Sequence, residues 1–170
     1  EYSRDAPIEL ILPSLYSELE GAALKNIVSC LSNVKYLNHI TIGLDKADKS
    51  EFIKAKKFFS NLNQPHSVIW NDSPKMKKLD SDFKKLGIAP NQPGKGKNVW
   101  YCMGYTYSRN EAGSVALHDC DITTYNRELL ARLVYPVSNP HFNYEFCKGY
   151  YPRIREGALS GRVTRLLVTP

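Results

Sequence analysis

The chain has 170 residues, of which 42% are hydrophobic, and 23 basic residues against 17 acidic ones give a formal charge of +6. This length and apolar content suit one globular domain with a real core and exclude a disordered chain. The basic excess favours anionic partners, or simply a solvated basic surface, without choosing between phosphate metabolites, nucleic acid and acidic lipid.

Taken in chain order, strands alternate with helices. "IELIL" (Ile8 to Leu12) reads as a short apolar strand ending at Pro13, and Ala23, Ile27, Val28 and Leu31 recur at helical spacing. "HITIGL" (His39 to Leu44) is a second strand ending at Asp45. Asp48 or Ser50 is placed to cap the next helix, whose apolar face is Phe52, Ala55, Phe58, Phe59 and Leu62. "SVIW" (Ser67 to Trp70) is a third strand, followed by the polar helix or lid "PKMKKLDSDFKKLG". "APNQPGKGKN" has the composition of a loop, with a helix expected from Asn98 to Tyr107. "SVAL" is a fourth strand, read as buried, and Asn126 is placed to cap a helix running through Val134. "EFCKGYYPRI" reads as a further strand, "EGALSGRVT" as a loop, and "RVTRLLV" as the start of something apolar.

Such alternation predicts an α/β sandwich with a largely parallel central sheet and helices on both faces. In these sheets ligands bind beyond the carboxyl ends of the strands. Polar residues gather there: Ser14 and Glu18, Asp45, Asn71 and Asp72, Asp119 and Asp121. The sequence stops within the apolar stretch "LLVTP", as expected of a domain that continues past residue 170. The four cysteines form no CxxC pair, so reduced thiols are expected. The opening "EYSRDAPIEL" is too charged for a signal peptide, and no apolar run approaches the roughly 20 residues of a membrane span. A cytoplasmic protein is therefore expected.

Four stretches carry chemistry. In "HDCDI", Asp119 and Asp121 stand two apart just past a strand, where they can converge on a hard cation such as Mg²⁺ that completes its shell with phosphate and water. A helix cap with a solvated carboxylate is the equally weighted alternative. In "QPGKGKNVW", glycines shape a tight turn that projects Lys95 and Lys97 toward the start of a helix, a setting suited to phosphate. It is not a Walker loop, and by itself it reads as a solvated basic loop. In "LSGRVTRL", Gly161 permits close backbone approach, Arg162 offers a bidentate fork and Thr164 a hydroxyl. "LPSLYSELE" joins the first strand to a helix at the place where nucleotide-binding α/β proteins contact base or ribose. His118, next to Asp119, reads as a structural histidine.

In their order, "LPSLYSE", "GLDKAD", "PGKGKNVW", "HDCDI", "KGYYPR" and "SGRVTRL" resemble the glucosyl-3-phosphoglycerate synthase family from about Pro13 to Pro170. The resemblance implies the Rossmann-like A-type glycosyltransferase fold. It implies glucose transfer from UDP-glucose or GDP-glucose to 3-phosphoglycerate, with retention of configuration and with Mg²⁺ or Mn²⁺, in a homodimer. It further implies that Pro13, Ser14, Leu15 and Glu18 border the nucleoside and that Asp45 holds the base. Lys95 reaches the nucleotide or sugar, Asp119 and Cys120 line the nucleotide sugar, and Asp121 ligates the metal. Gly161, Arg162 and Thr164 cradle phosphoglycerate, with Asp121, Arg162 and Lys95 carrying the reaction. Further metal-ligating and acidic residues of the family lie past residue 170, so a chain ending there is expected to bind nucleotide without turnover.

Three alternatives stand beside this reading. One is a glucosyltransferase acting directly on glycerate. Another is a phosphatase of the haloacid-dehalogenase type, whose D-x-D-x-T motif "DCDIT" matches, but no Asp follows Asp121. The last is a nucleic-acid module using Tyr101, Tyr105 and Tyr107 with the two lysines. Helical spacing places Tyr101 and Tyr105 toward the core, so no nucleic-acid partner is expected.

Overall fold

A computed structural model describes residues 2–90, 92–149, 153–155 and 158–160, the last two segments for their backbone alone. Four strands form one sheet in the order β3-β2-β1-β4: β1 (Ile8–Leu15), β2 (Leu37–Asp45), β3 (His66–Trp70) and β4 (Ser114–Leu117). All three strand pairings are parallel. Parallel strands need crossover helices, and the chain supplies α1 (Ala22–Ser32), α2 (Lys49–Phe59), α3 (Pro74–Lys85) and α4 (Lys95–Arg109) between them, with α5 (Arg127–Ser138) after β4. The fold class read from the sequence is the one observed.

The pleat sorts residues between two faces. Leu10 and Leu12 of β1, Ile40, Ile42 and Leu44 of β2, and Ala116 of β4 join Leu24, Ile27, Val28 and Leu31 of α1, Ala55 and Phe59 of α2, and Leu130 and Val134 of α5 in a single apolar core. The opposite face carries Glu9, His39, Thr41 and Gly43, and α4 packs on it. α3 lies beside α4, with Phe83 edge-on to Trp100 at 5.6 Å.

β1 continues to Leu15, past Pro13, although proline cannot donate within a sheet. The carbonyls of Pro7 and Ile11 accept bonds from the β4 side, from Ser114 and His118. Alternation therefore turns the Pro13 nitrogen to that same side, and β4 has already ended there at Leu117. The order of the sheet reverses at β1, between β2 and β4, which makes this the topological switch point where α/β sheets open a ligand crevice.

Other boundaries differ from the expectation. α4 begins at Lys95 rather than Asn98, because Gly94 adopts φ 124°, a conformation open to glycine, and so serves as the N-cap. α5 is capped by Asn126 as expected but runs on to Ser138, with Pro136 accommodated in its last turns. Only Ala116 of β4 is buried; Val115 and Leu117, expected in the core, are each 39% exposed, because β4 is the edge strand among the described residues and α4 does not extend over that part of the sheet. Of the strand expected over Glu145–Ile154, residues 145–149 form none, while β5 (Arg153–Arg155) pairs antiparallel with β6 (Ala158–Ser160) inside the stretch expected to be a loop. The apolar segment from Arg162 lies outside the described residues. No described helix is long and apolar enough to cross a membrane.

Candidate nucleotide-sugar site

The carboxyl end of β1, at the switch point, carries Pro13 and Ser14, both buried, with Leu15 half-buried after them. A 3-10 turn over Tyr16–Glu20 follows, and the Leu15 N–H donates to Glu18 Oε2 at 2.9 Å, folding the Glu18 side chain back over the strand end. Cys120 is 2% exposed and belongs to the apolar core. Burial, and then the negative charge of Glu18, push its thiol far above the usual range, while the Ser14 hydroxyl opposes this. Its side chain thus anchors the turn after β4, and any contact Cys120 makes with a ligand is through its main chain. Because Cys120 points inward, Asp119 and Asp121 on either side are left half-buried and exposed respectively.

Asp45 ends β2 directly opposite Leu15 in register. Asn71, just past β3, donates through Nδ2 to Asp45 Oδ1 at 2.8 Å. Burial raises the Asp45 carboxyl above its ordinary value, and the nearby Asn71 and Asn98 amides oppose that shift by favouring the charged form. Asn98 also donates to the Gly43 carbonyl at 2.9 Å, tying α4 to β2, and Cys102 donates to Asn98 Oδ1 at 3.4 Å. A Cβ at position 43 would overlap the Asn98 amide and sit 2.5 Å from Cys102 Sγ, so this glycine is what lets the helix approach so closely.

The first turn of α4 carries Lys95 and Lys97, no acidic residue, and no side-chain cap. Cations at the positive end of a helix are disfavoured, so each needs an anion. Lys95 pairs with Asp119, joining PGKG to the D-x-D turn. Lys97 instead pairs with Asp80 of α3 at 2.5 Å. Residues two apart on a helix do not face the same way, and the two lysines separate accordingly.

Asp121 has no ion-pair partner among the described residues, and no group of three potential metal ligands occurs among them. One exposed carboxylate fits a hard cation whose other ligands are phosphate oxygens, as Mg²⁺ commonly takes. His118 is buried, lies edge-on to Tyr125 at 5.2 Å and finds no partner for either ring nitrogen among the described residues; burial lowers its pKa to about 4. It packs as the structural residue expected. Tyr101 is buried, and Tyr105 bonds Ser67 at 2.8 Å, in keeping with core rather than stacking roles. Gly161, Arg162 and Thr164 lie outside the described residues.

Two groups escaped the sequence reading. Asn98, expected only as a helix start, shares the inward stripe of α4 with Tyr101, Cys102 and Thr106, and an amide on such a stripe signals a buried anchor. Asp80, on a helix with no buried residue, gave no comparable signal.

The parallel sheet, its order reversing at β1, with helices on both faces, has the A-type glycosyltransferase fold. Solved structures of glucosyl-3-phosphoglycerate synthase from Mycobacterium tuberculosis share it. The complex with Mn²⁺, UDP and glucosyl-3-phosphoglycerate matches at TM-score 0.51 and 16% identity over 81% of this chain and 42% of its own. The complex with Mn²⁺, UDP-glucose and phosphoglyceric acid gives the same score and identity over 82% and 42%. In sequence, the chain is similar over nearly its whole length to glucosyl-3-phosphoglycerate synthases. That of Persephonella marina is 46% identical over 169 residues, 99% of this chain and 42% of the relative. That of Methanococcoides burtonii is 39% identical over 167 residues, 96% and 41%. The chain thus spans about two-fifths of the length of these relatives. No protein-family model matches it.

Proposed function

We propose that this chain forms the nucleotide-sugar part of a retaining glucosyltransferase that moves glucose from UDP-glucose to 3-phosphoglycerate. The observation that supports the reading is the Lys95–Asp119 pair, which joins a cation to the D-x-D turn beyond the carboxyl end of β4. The similarity to synthases solved with Mn²⁺, UDP and UDP-glucose supports the donor and the cation. GDP-glucose as donor and glycerate as acceptor are the alternatives.

In this reading Pro13, Ser14, Leu15 and Glu18 border the nucleoside, and Asp45, held by Asn71, accepts from the base. Lys95 exchanges Asp119 for the diphosphate, and Asp119 is freed toward ribose and sugar. Asp121 holds Mg²⁺ or Mn²⁺, which when bound supplies Lewis-acid stabilisation of the departing diphosphate. Gly161, Arg162 and Thr164 orient the acceptor, and holding both reactants removes much of the entropic barrier. Retention follows if the acceptor attacks the face from which UDP leaves, with a UDP oxygen taking its proton. A cytoplasmic homodimer completes the proposal.

The test is a thermal shift with UDP or GDP, with and without Mn²⁺. A ligand at 100 times its Kd stabilises by about 2.7 kcal/mol, so UDP with Mn²⁺ is expected to raise Tm. Asp121→Ala is expected to abolish the metal-dependent part, and a full shift in that variant would overturn the assignment.

A further inference from the structure

The start of α4 is intrinsically weak. Gly94 provides no side-chain cap, Gly96 has open space around its Cβ position, and two lysines oppose the helix dipole. Three tethers from three different elements hold it: Lys95 to Asp119 after β4, Asn98 to Gly43 of β2, and Lys97 to Asp80 of α3. The first two belong to the site already described. The third does not, and it is the most elaborate. Asp80 accepts from Tyr101 Oη at 2.7 Å, from Lys97 at 2.5 Å and from Lys84 at 2.9 Å, and the Lys97 ammonium lies 5.9 Å from the Tyr101 ring centre. Asp80 and Lys97 side chains are 17% and 21% exposed, far less than the 52% of Lys95. The donors, Lys97 first and Tyr101 next, hold the Asp80 carboxyl well below the ordinary range. α3 itself buries no residue, so this cluster and the Phe83–Trp100 contact are what fasten it.

We propose that Asp80 is a positioning residue for the nucleotide-diphosphate site: by clamping Lys97 and Tyr101 it fixes the first turn of α4 and so holds Lys95 beside Asp119. Lys97 is then a strut rather than a second phosphate ligand, and α3 acts as a brace for the phosphate-facing helix start. The inference rests on the functional reading above.

Calorimetric titration of the chain with UDP at saturating Mn²⁺ tests it, because stoichiometry and affinity are read separately. Asp80→Asn keeps the size but loses the charge, and is expected to raise Kd about ten-fold with stoichiometry unchanged. Asp80→Glu is expected to recover most of the loss. Lys97→Met should reproduce it, and the double variant should be no weaker than either single one, as for two members of one contact. Lys97→Met also carries the test should Asp80→Asn fail to fold. A Kd within about two-fold of the unaltered chain, or a fall in stoichiometry with Kd constant, would overturn the proposal and leave the functional reading standing. Absence of UDP binding by the unaltered chain would remove both.

Discussion

The two faces of the sheet are built on different physics. Toward α1, α2 and α5 the sheet presents Leu10, Leu12, Ile40, Ile42 and Leu44, all fully buried. Toward α4 it presents Glu9, His39, Thr41 and Gly43, with Ile11 as a fully buried aliphatic side chain among them. The first face gains non-directional apolar burial, worth about 1.5–3 kcal/mol per large side chain. The second is held by directional bonds at both ends of the helix: Asn98 to the Gly43 carbonyl at one end, and Arg109 to the fully buried Glu9 at 3.4 Å at the other, with Glu111 also on Arg109. Between them His39 Nε2 and Ser67 Oγ lie at 3.1 Å. Apolar packing alone tolerates a helix sliding along its axis. Two polar anchors eleven residues apart, about 16 Å along a helix, do not. The face that carries the functional helix therefore gives up some apolar burial in exchange for a defined axial position, and Lys95 inherits it.

Three substitutions sharpen or break this contrast. Phe59→Ala, on the apolar face, should cost about 3–5 kcal/mol in urea unfolding while leaving the Kd for UDP of the folded molecule unchanged. Gly43→Ala, on the polar face, should cost less, about 1–3 kcal/mol, yet weaken UDP binding measurably, because the new Cβ displaces Asn98 and with it α4. If Gly43→Ala bound UDP normally, the polar face would not be setting the site. The smallest effect at neutral pH belongs to His39. Burial, and then the Arg109 charge, lower it from 6.5 to about 4, with Glu111 opposing. The folded state thus favours the neutral ring, and the unfolded chain binds the extra proton as pH falls below 6.5. This contribution to stability is complete above that pH and drains away toward pH 4. His39→Gln should flatten the decline by about 1–2 kcal/mol at pH 5 and change nothing at pH 8, which parallel urea titrations would show.

The strands and helices were legible because period and capping agreed: Asp48 and Asn126 each accept from the backbone three residues on. The PGKG segment was misread because two glycines and a proline look like a loop until φ at Gly94 shows that the helix has already begun. Val115 and Leu117 were misread because a strand's hydrophobicity does not say whether it lies inside or at the edge of a sheet. Of the site, the residues at the strand ends were legible, since chain order alone takes Ser14, Asp45 and Asp119 to one rim. The supports were not: pairing Asp80 with Lys97 or Asn71 with Asp45 depends on how helices and loops pack, which no local spacing encodes.

Pro13 has a final consequence. Above Leu117 one flank of β1 lacks a neighbouring strand among the described residues, and an open flank of this kind would normally invite another backbone to zip onto it. With an imino acid turned to that flank, the main chain has no hydrogen to offer there. Between β1 and the turn holding Asp119 the sheet's hydrogen-bond ladder thus stops among the described residues, and the ring of Pro13 keeps it from resuming at that position.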